Sequence, residues 1–138
     1  MRKWGTRSQR VYDELDERLQ RVCDRILHEV ADVSLLCGFR GEQEQNEAFL
    51  SGASTLMWPD GNHNERPSKA VDLQPYPMPT RKEKLWASLG YIAGRAIGIG
   101  IEDGVVIRWG GDWDQDGDLT DQNFDDLFHL EIVCSTQR

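Results

Sequence analysis

From Ser8 to Val30 the apolar positions Val11, Leu15, Leu19, Val22, Ile26 and Val30 recur every three or four residues. That spacing predicts one long amphipathic helix with a single apolar stripe. DVSLLCGF (32–39) is a short apolar run closed by glycine, the mark of a strand. GEQEQNEAFLSG (41–52) is rich in helix formers and stops at Gly52. Residues 53–69 carry Gly, Asn, Pro and Ser and predict a loop. KAVDL (69–73) is a buried strand, and the three prolines of QPYPMP deny it further ladder pairing. Thr80 and Glu83 fit a capping box for a second long helix, RKEKLWASLGYIAGRAI, with Leu85, Leu89, Ile92 and Ala96 inward. GIGIEDGVVIRWGG (98–111) alternates like a hairpin turning at Glu102, Asp103 and Gly104. An acidic loop, DWDQDGDLTDQNFDD (112–126), precedes a closing strand, LFHLEIV (127–133). Helices and mostly antiparallel strands in separate runs predict an α+β fold: one small domain over residues 1–138, an antiparallel sheet with flanking helices. Neither an internal repeat nor a linker divides it.

Composition narrows the function. A chain of 138 residues with 38% hydrophobic and 29% charged residues can bury a real core. Its net charge of −8 argues against gripping nucleic acid or an anionic membrane as its main work. No apolar run approaches the ~20 residues of a membrane span. The basic start has no apolar segment behind it, so no signal peptide is expected and synthesis is expected in the cytoplasm. Three widely spaced cysteines, Cys23, Cys37 and Cys134, make neither a disulfide framework nor a paired zinc pattern and read as reduced, buried thiols.

The chemistry concentrates in a few positions. His63 lies in the loop before a strand, Asp72 interrupts the apolar run of that strand, and His129 lies on the last strand. Two imidazoles, one carboxylate and a water form an established catalytic zinc arrangement, whose open position allows chemistry. Spacing alone leaves a second reading open, in which the histidines are satisfied core residues and Asp72 pairs with an arginine. Asp126, three residues before His129, could pass a proton to a leaving amine, or it could end a solvated acidic loop.

GNHNERPSKAVDLQPYP and DDLFHLEI resemble the zinc-dependent peptidoglycan peptidases of the M15 family, and most closely its phage endolysin branch. The likeness covers roughly residues 32–133 and implies the Hedgehog/DD-peptidase fold. It implies His63, Asp72 and His129 as zinc ligands and Asp126 as general base. GFRGEQEQNEAFLSGAS (38–54) looks like the family's arginine segment, implying Arg40 as the cation at the substrate carbonyl, with Gln45 nearby. The implied partner is the peptidoglycan stem peptide, cut at the L-alanyl-D-glutamate bond. D-Ala-D-Ala carboxypeptidase or dipeptidase activity is the alternative, and a non-catalytic zinc-stabilised binding domain is the rival from another class. The implied enzyme is a monomer without a separate wall-binding module, and it acts on the wall after release from the host cytoplasm. Gly61 stands where the family usually has serine, a loss that Asn62 or Ser68 could offset, and Gln45 and Ser68 are candidate substrate contacts. Aspartate at the base position, where many carboxypeptidases carry glutamate, tilts toward the endolysin branch.

Asp112, Asp114, Asp116 and Gly117 match the start of an EF-hand loop, and Asp118 follows. The twelfth position is Asn123 rather than glutamate, so a calcium site and a plain solvated loop both fit. Trp58, Trp86, Trp109 and Trp113 could line a sugar-peptide cleft, although a helical Trp86 reads as core. Arg66 and Lys69 could meet an acidic stem peptide or simply stay solvated.

Overall fold

The apolar stripe of residues 8–30 is carried by two helices instead of one. In a computed structural model that describes residues 1–133, α1 spans Thr6–Tyr12 and α2 spans Glu17–Arg25, running on into one π-helical turn over Ile26–Val30. The break has a use. Ser68 donates its amide to Glu14 O (2.8 Å) and Asp16 donates its own to Ser68 O (2.9 Å), so the interrupted backbone pairs with the loop below it. Asp16 then restarts the helix by accepting the Arg18 amide. Cys134 lies outside the described residues.

The remaining elements are β1 (Val33–Cys37), α3 (Glu42–Ser51), β2 (Ala70–Pro75), α4 (Lys82–Asp103), β3 (Val106–Gly110) and β4 (Asp126–Val133). The strands form one sheet in the order β1-β2-β4-β3, antiparallel throughout. The expected α+β class is therefore observed. The hairpin over residues 98–111 is not. Ile97, Ile99 and Ile101 mimic strand alternation, yet Ile101 is 73% exposed while Leu89, Ile92, Ala93, Ala96, Ile99 and Gly100 form a buried helical stripe. The helix runs on to Asp103 because Gly100 lets β3 approach closely. A Cβ there would stand 2.6 Å from Val105 O. Gly104 ends the helix at φ +75°, a left-handed cap that sequence alone presents as a turn. The capping box also fails, since Glu83 pairs with the Arg81 side chain and α4 starts without a side-chain cap. Trp86 is 53% exposed, not core, because it falls outside the buried stripe.

Alternation within the strands sorts the two faces of the sheet. Val71, Leu73, Ile107, Leu130 and Ile132 enter the core with Leu19, Val22, Ile26, Ile92 and Ala96 of the helices. Asp72, Arg108, His129 and Glu131 alternate with them and so point to the opposite face. No described helix is long and apolar enough to cross a membrane.

Candidate active site

Three separate elements deliver the central side chains. Asp72 on β2 and His129 on β4 are register partners across the sheet. Residues directly opposite on one face stand side by side, which removes their 57-residue separation in sequence. His63 arrives from a single 3₁₀ turn over Asn62–Asn64. That turn is clamped from several sides. Asn64 accepts the Gly61 amide (2.9 Å) and donates to Arg40 O and Gln45 Oε1 (both 3.0 Å), while the Arg40 amide donates to His63 O (2.7 Å). A register irregularity between Leu35 and Cys37 marks the end of β1, just before Gly38 and Arg40.

The result is a triangle. His63 Nε2, His129 Nδ1 and Asp72 Oδ1 are 3.2 Å from one another on all three sides. With metal–ligand bonds of about 2.0 Å, the edge of a tetrahedral zinc site is about 3.3 Å. The outer nitrogens are also engaged. His63 Nδ1 lies 2.6 Å from Gly38 O and His129 Nε2 lies 2.7 Å from Glu131 Oε1. A carbonyl and a carboxylate accept hydrogen bonds, so each ring proton belongs on its outer nitrogen and each inner lone pair faces the triangle. The electrostatics agree. Burial is the largest single influence on His63 and resists its charge, but the hydrogen bonds and charges of Asp72 and Cys37 together outweigh it and push the imidazole up to about 10. Asp72, buried yet hydrogen-bonded by both histidines, is held well below the ordinary carboxylate range. The triangle attracts a cation, if only a proton, and its donor set suits zinc.

Asp72 is placed for both of its readings, because Oδ2 faces Arg40 Nη2 at 3.6 Å while Oδ1 faces the histidines. Asp126 Oδ2 lies 3.9 Å from His129 Nδ1 and is partly exposed to the cleft. Burial, and then the negative charge of Asp72, raise its proton affinity above that of an ordinary aspartate. Cys37 approaches His63 from the Nδ1 side, 3.9 Å away, so its half-buried thiol lies outside the triangle.

The triangle opens into a cleft of about 450 Å³. Arg40, Gln45 and residues 53–56 line one wall, and Arg108, Trp113, Phe124 and Asp126 line the other. Gln45 is buried and has its hydrogen bonds taken by Arg40, Asn64, Ser54 and Leu56 O, which fixes the Arg40 guanidinium in place. Ser68 does not reach the cleft. It is fully buried, and its hydroxyl bonds to Gly38 O and Ala70 O, so the expected substrate contact is replaced by support for the carbonyl that also meets His63.

Reading the sequence alone misses Glu131 and Arg108. Glu131 is 5% exposed, bonds His129 through Oε1, and takes Arg108 Nε on Oε2 at 3.1 Å. A local signal for it exists: a carboxylate two residues beyond His129, on the same face of a strand, with apolar neighbours. In the acidic loop, Asp112, Asp114 and Asp116 bring their carboxylates together, while Asp118 turns away to accept the Thr120 amide and hydroxyl.

A family model described as phage L-alanyl-D-glutamate peptidase matches residues 1–133. The chain belongs to the phage L-alanyl-D-glutamate peptidase family. It is a peptidoglycan-hydrolysing peptidase of the phage endolysin type. No curated protein matches it by sequence. The crystal structure of the Serratia marcescens L-Ala D-Glu endopeptidase ChiX shares its fold, with a TM-score of 0.71, 22% identity, and coverage of 93% of this chain and 87% of that one. The expected resemblance and fold class are thus both found, and the cell wall is the substrate of this peptidase family.

Proposed function

We propose that this peptidase is zinc-dependent and hydrolyses the L-alanyl-D-glutamate bond of the stem peptide. The observation that carries the metal reading is the equal-sided triangle of His63, Asp72 and His129 with its inner lone pairs converging. Zinc bound there would supply Lewis-acid polarisation of the scissile carbonyl and lower the pKa of an attacking water. The residues do the rest. Asp126 takes the proton from that water and returns it to the leaving amine, a role suited to its raised proton affinity. Arg40, pinned by Gln45 and Asp72, presents its guanidinium to the carbonyl oxygen as negative charge develops. Glu131 fixes the His129 tautomer. The bond assignment follows the family, and the enzyme works as a monomer, made in the host cytoplasm and acting on the wall after release. Digestion of purified peptidoglycan followed by mass spectrometry tests it. New amino termini at D-glutamate are expected, and release of terminal D-alanine alone would transfer the enzyme to the carboxypeptidase branch.

A second cation, calcium, belongs in the acidic loop. Asp112, Asp114 and Asp116 place carboxylate oxygens within 4.8 Å of one another, and Asp112 Oδ1 is buried without a partner among the described residues. Asp112 Oδ2 accepts the Gly117 amide (2.9 Å), and Gly117 at φ +81° makes the sharp turn that an EF-hand loop needs at its sixth position.

A further inference from the structure

We infer that Arg108 reads the free α-carboxylate of the D-glutamate residue and so determines which stem peptides are cut. This rests on the bond assignment above. In a stem peptide the D-glutamate after L-alanine continues the chain through its side-chain carboxyl. Its α-carboxylate is left two bonds from the scissile nitrogen, either as an anion or, in amidated walls, as a neutral carboxamide.

Asp126 tells which wall this group meets. The residue that returns the proton to the leaving amine must lie on the leaving-group side, and Asp126 belongs to the β3–β4 wall. That wall is hostile to an anion, since it carries Asp126 and Glu131 and borders the acidic loop. Among the described residues Arg40 and Arg108 are the cations lining the cleft. Arg40 stands on the opposite wall, held by Asp72 and Gln45 and already assigned to the scissile carbonyl oxygen. Arg108 stands on the correct wall, register partner of Glu131 and one strand from Asp126.

Its guanidinium is built for a second carboxylate. Nε and Nη2 both bond Glu131 Oε2, and the Trp113 ring lies 5.8 Å from Cζ. Nη1 has no protein partner among the described residues. The side chain is 32% exposed, open to the cleft while held from behind. A planar fork held on one edge presents its remaining donors at no further ordering cost. Two hydrogen bonds, through Glu131 and His129, connect it to the triangle, so the group it holds is close to the reacting bond.

The test compares a soluble muramoyl stem peptide with its twin in which the D-glutamate α-carboxylate is a carboxamide. The two are assayed with zinc-loaded parent enzyme, Arg108→Gln and Arg108→Lys, with zinc content measured for each. The parent should favour the acid in kcat/KM by roughly 10- to 100-fold, the scale of one hydrogen bond to a charged group. Arg108→Gln should lose much more on the acid than on the amide, bringing the acid-to-amide ratio of kcat/KM close to one, with KM carrying most of the change. Arg108→Lys should recover part of the preference. Equal cleavage of the two peptides by the parent would overturn the inference. So would an Arg108→Gln enzyme slowed equally on both, because Arg108 would then act only through Glu131. Cleavage of neither peptide between alanine and glutamate would overturn the bond assignment, and the role of Arg108 with it.

Discussion

The triangle and the acidic loop are two candidate cation sites among the described residues, and they are built on opposite plans. The triangle draws His63, Asp72 and His129 from a turn and two strands, and buries both histidines. Every member has a second partner that fixes its orientation. The acidic loop draws Asp112, Asp114 and Asp116 from five consecutive residues and leaves Asp114 and Asp116 exposed. Its carboxylates mostly bond the amides of their own loop. A site preorganised by distant elements binds without further ordering and suits catalysis. A local, solvated site must pull like charges together and binds weakly.

Removing a ligand from the triangle should have the largest effect. His129→Ala should lose both zinc and activity, while Asp114→Ala should retain both. Elemental analysis of purified protein checks this, and full zinc occupancy in His129→Ala would break the contrast. Next comes Asp126→Asn, which should keep zinc and lose roughly 10²–10⁴-fold in kcat. In the parent the activity should fall as pH drops through the Asp126 pKa, above the usual ~3.9 of aspartate, because the protonated carboxyl is no longer a base. The variant's remaining activity should lack that limb, as a pH–rate profile would show.

Glu131→Gln should weaken zinc affinity by roughly 10- to 100-fold, since the outer partner no longer fixes the ring. Competition with a chromophoric chelator reads this directly. In the loop, calcium should bind at about 10⁻⁴–10⁻³ M, and Asp114→Ala with Asp116→Ala should abolish it. Binding should weaken as pH falls through about 6, where Asp121, raised by its hydrogen bond to Asp116, takes up a proton. Calorimetric titration at two pH values decides it. The smallest effect is expected at a helix start that belongs to neither cluster. Asp16→Ala should cost about 1 kcal/mol as a lost helix cap. Arg18 lowers the folded pKa of Asp16, so this stability is present above the unfolded value and fades as pH falls through the lower folded one. Thermal melts at neutral and acid pH would show the difference between parent and variant shrinking.

Much of this architecture is legible in the order of the residues. The strands at 33–37, 70–75 and 126–133 carry their own alternation, and helix α3 carries its formers and its Gly52 stop. The acidic loop is equally plain, because a local site keeps its ligands adjacent in sequence. Sequence patterns mislead where two periodicities overlap. Alternating isoleucines at 97–101 favour a strand, and only the packing of Gly100 on β3 selects a helix. Likewise, nothing local shows that residues 13–16 leave the helix to pair with Ser68.

The sequence by itself determined the α+β class, the ligand types and the acidic loop, because these depend on residue chemistry and short-range spacing. Tertiary structure decided which nitrogen of each histidine faces the triangle, that Ser68 supports a carbonyl and does not meet substrate, and that Glu131 and Arg108 stand behind and beside His129. Those facts depend on cross-strand register and on hydrogen bonds that, apart from the Glu131–His129 pair, join residues 9 to 66 positions apart. Pairwise register is a property of the folded sheet, and a one-residue slip would have turned the same side chains into the core.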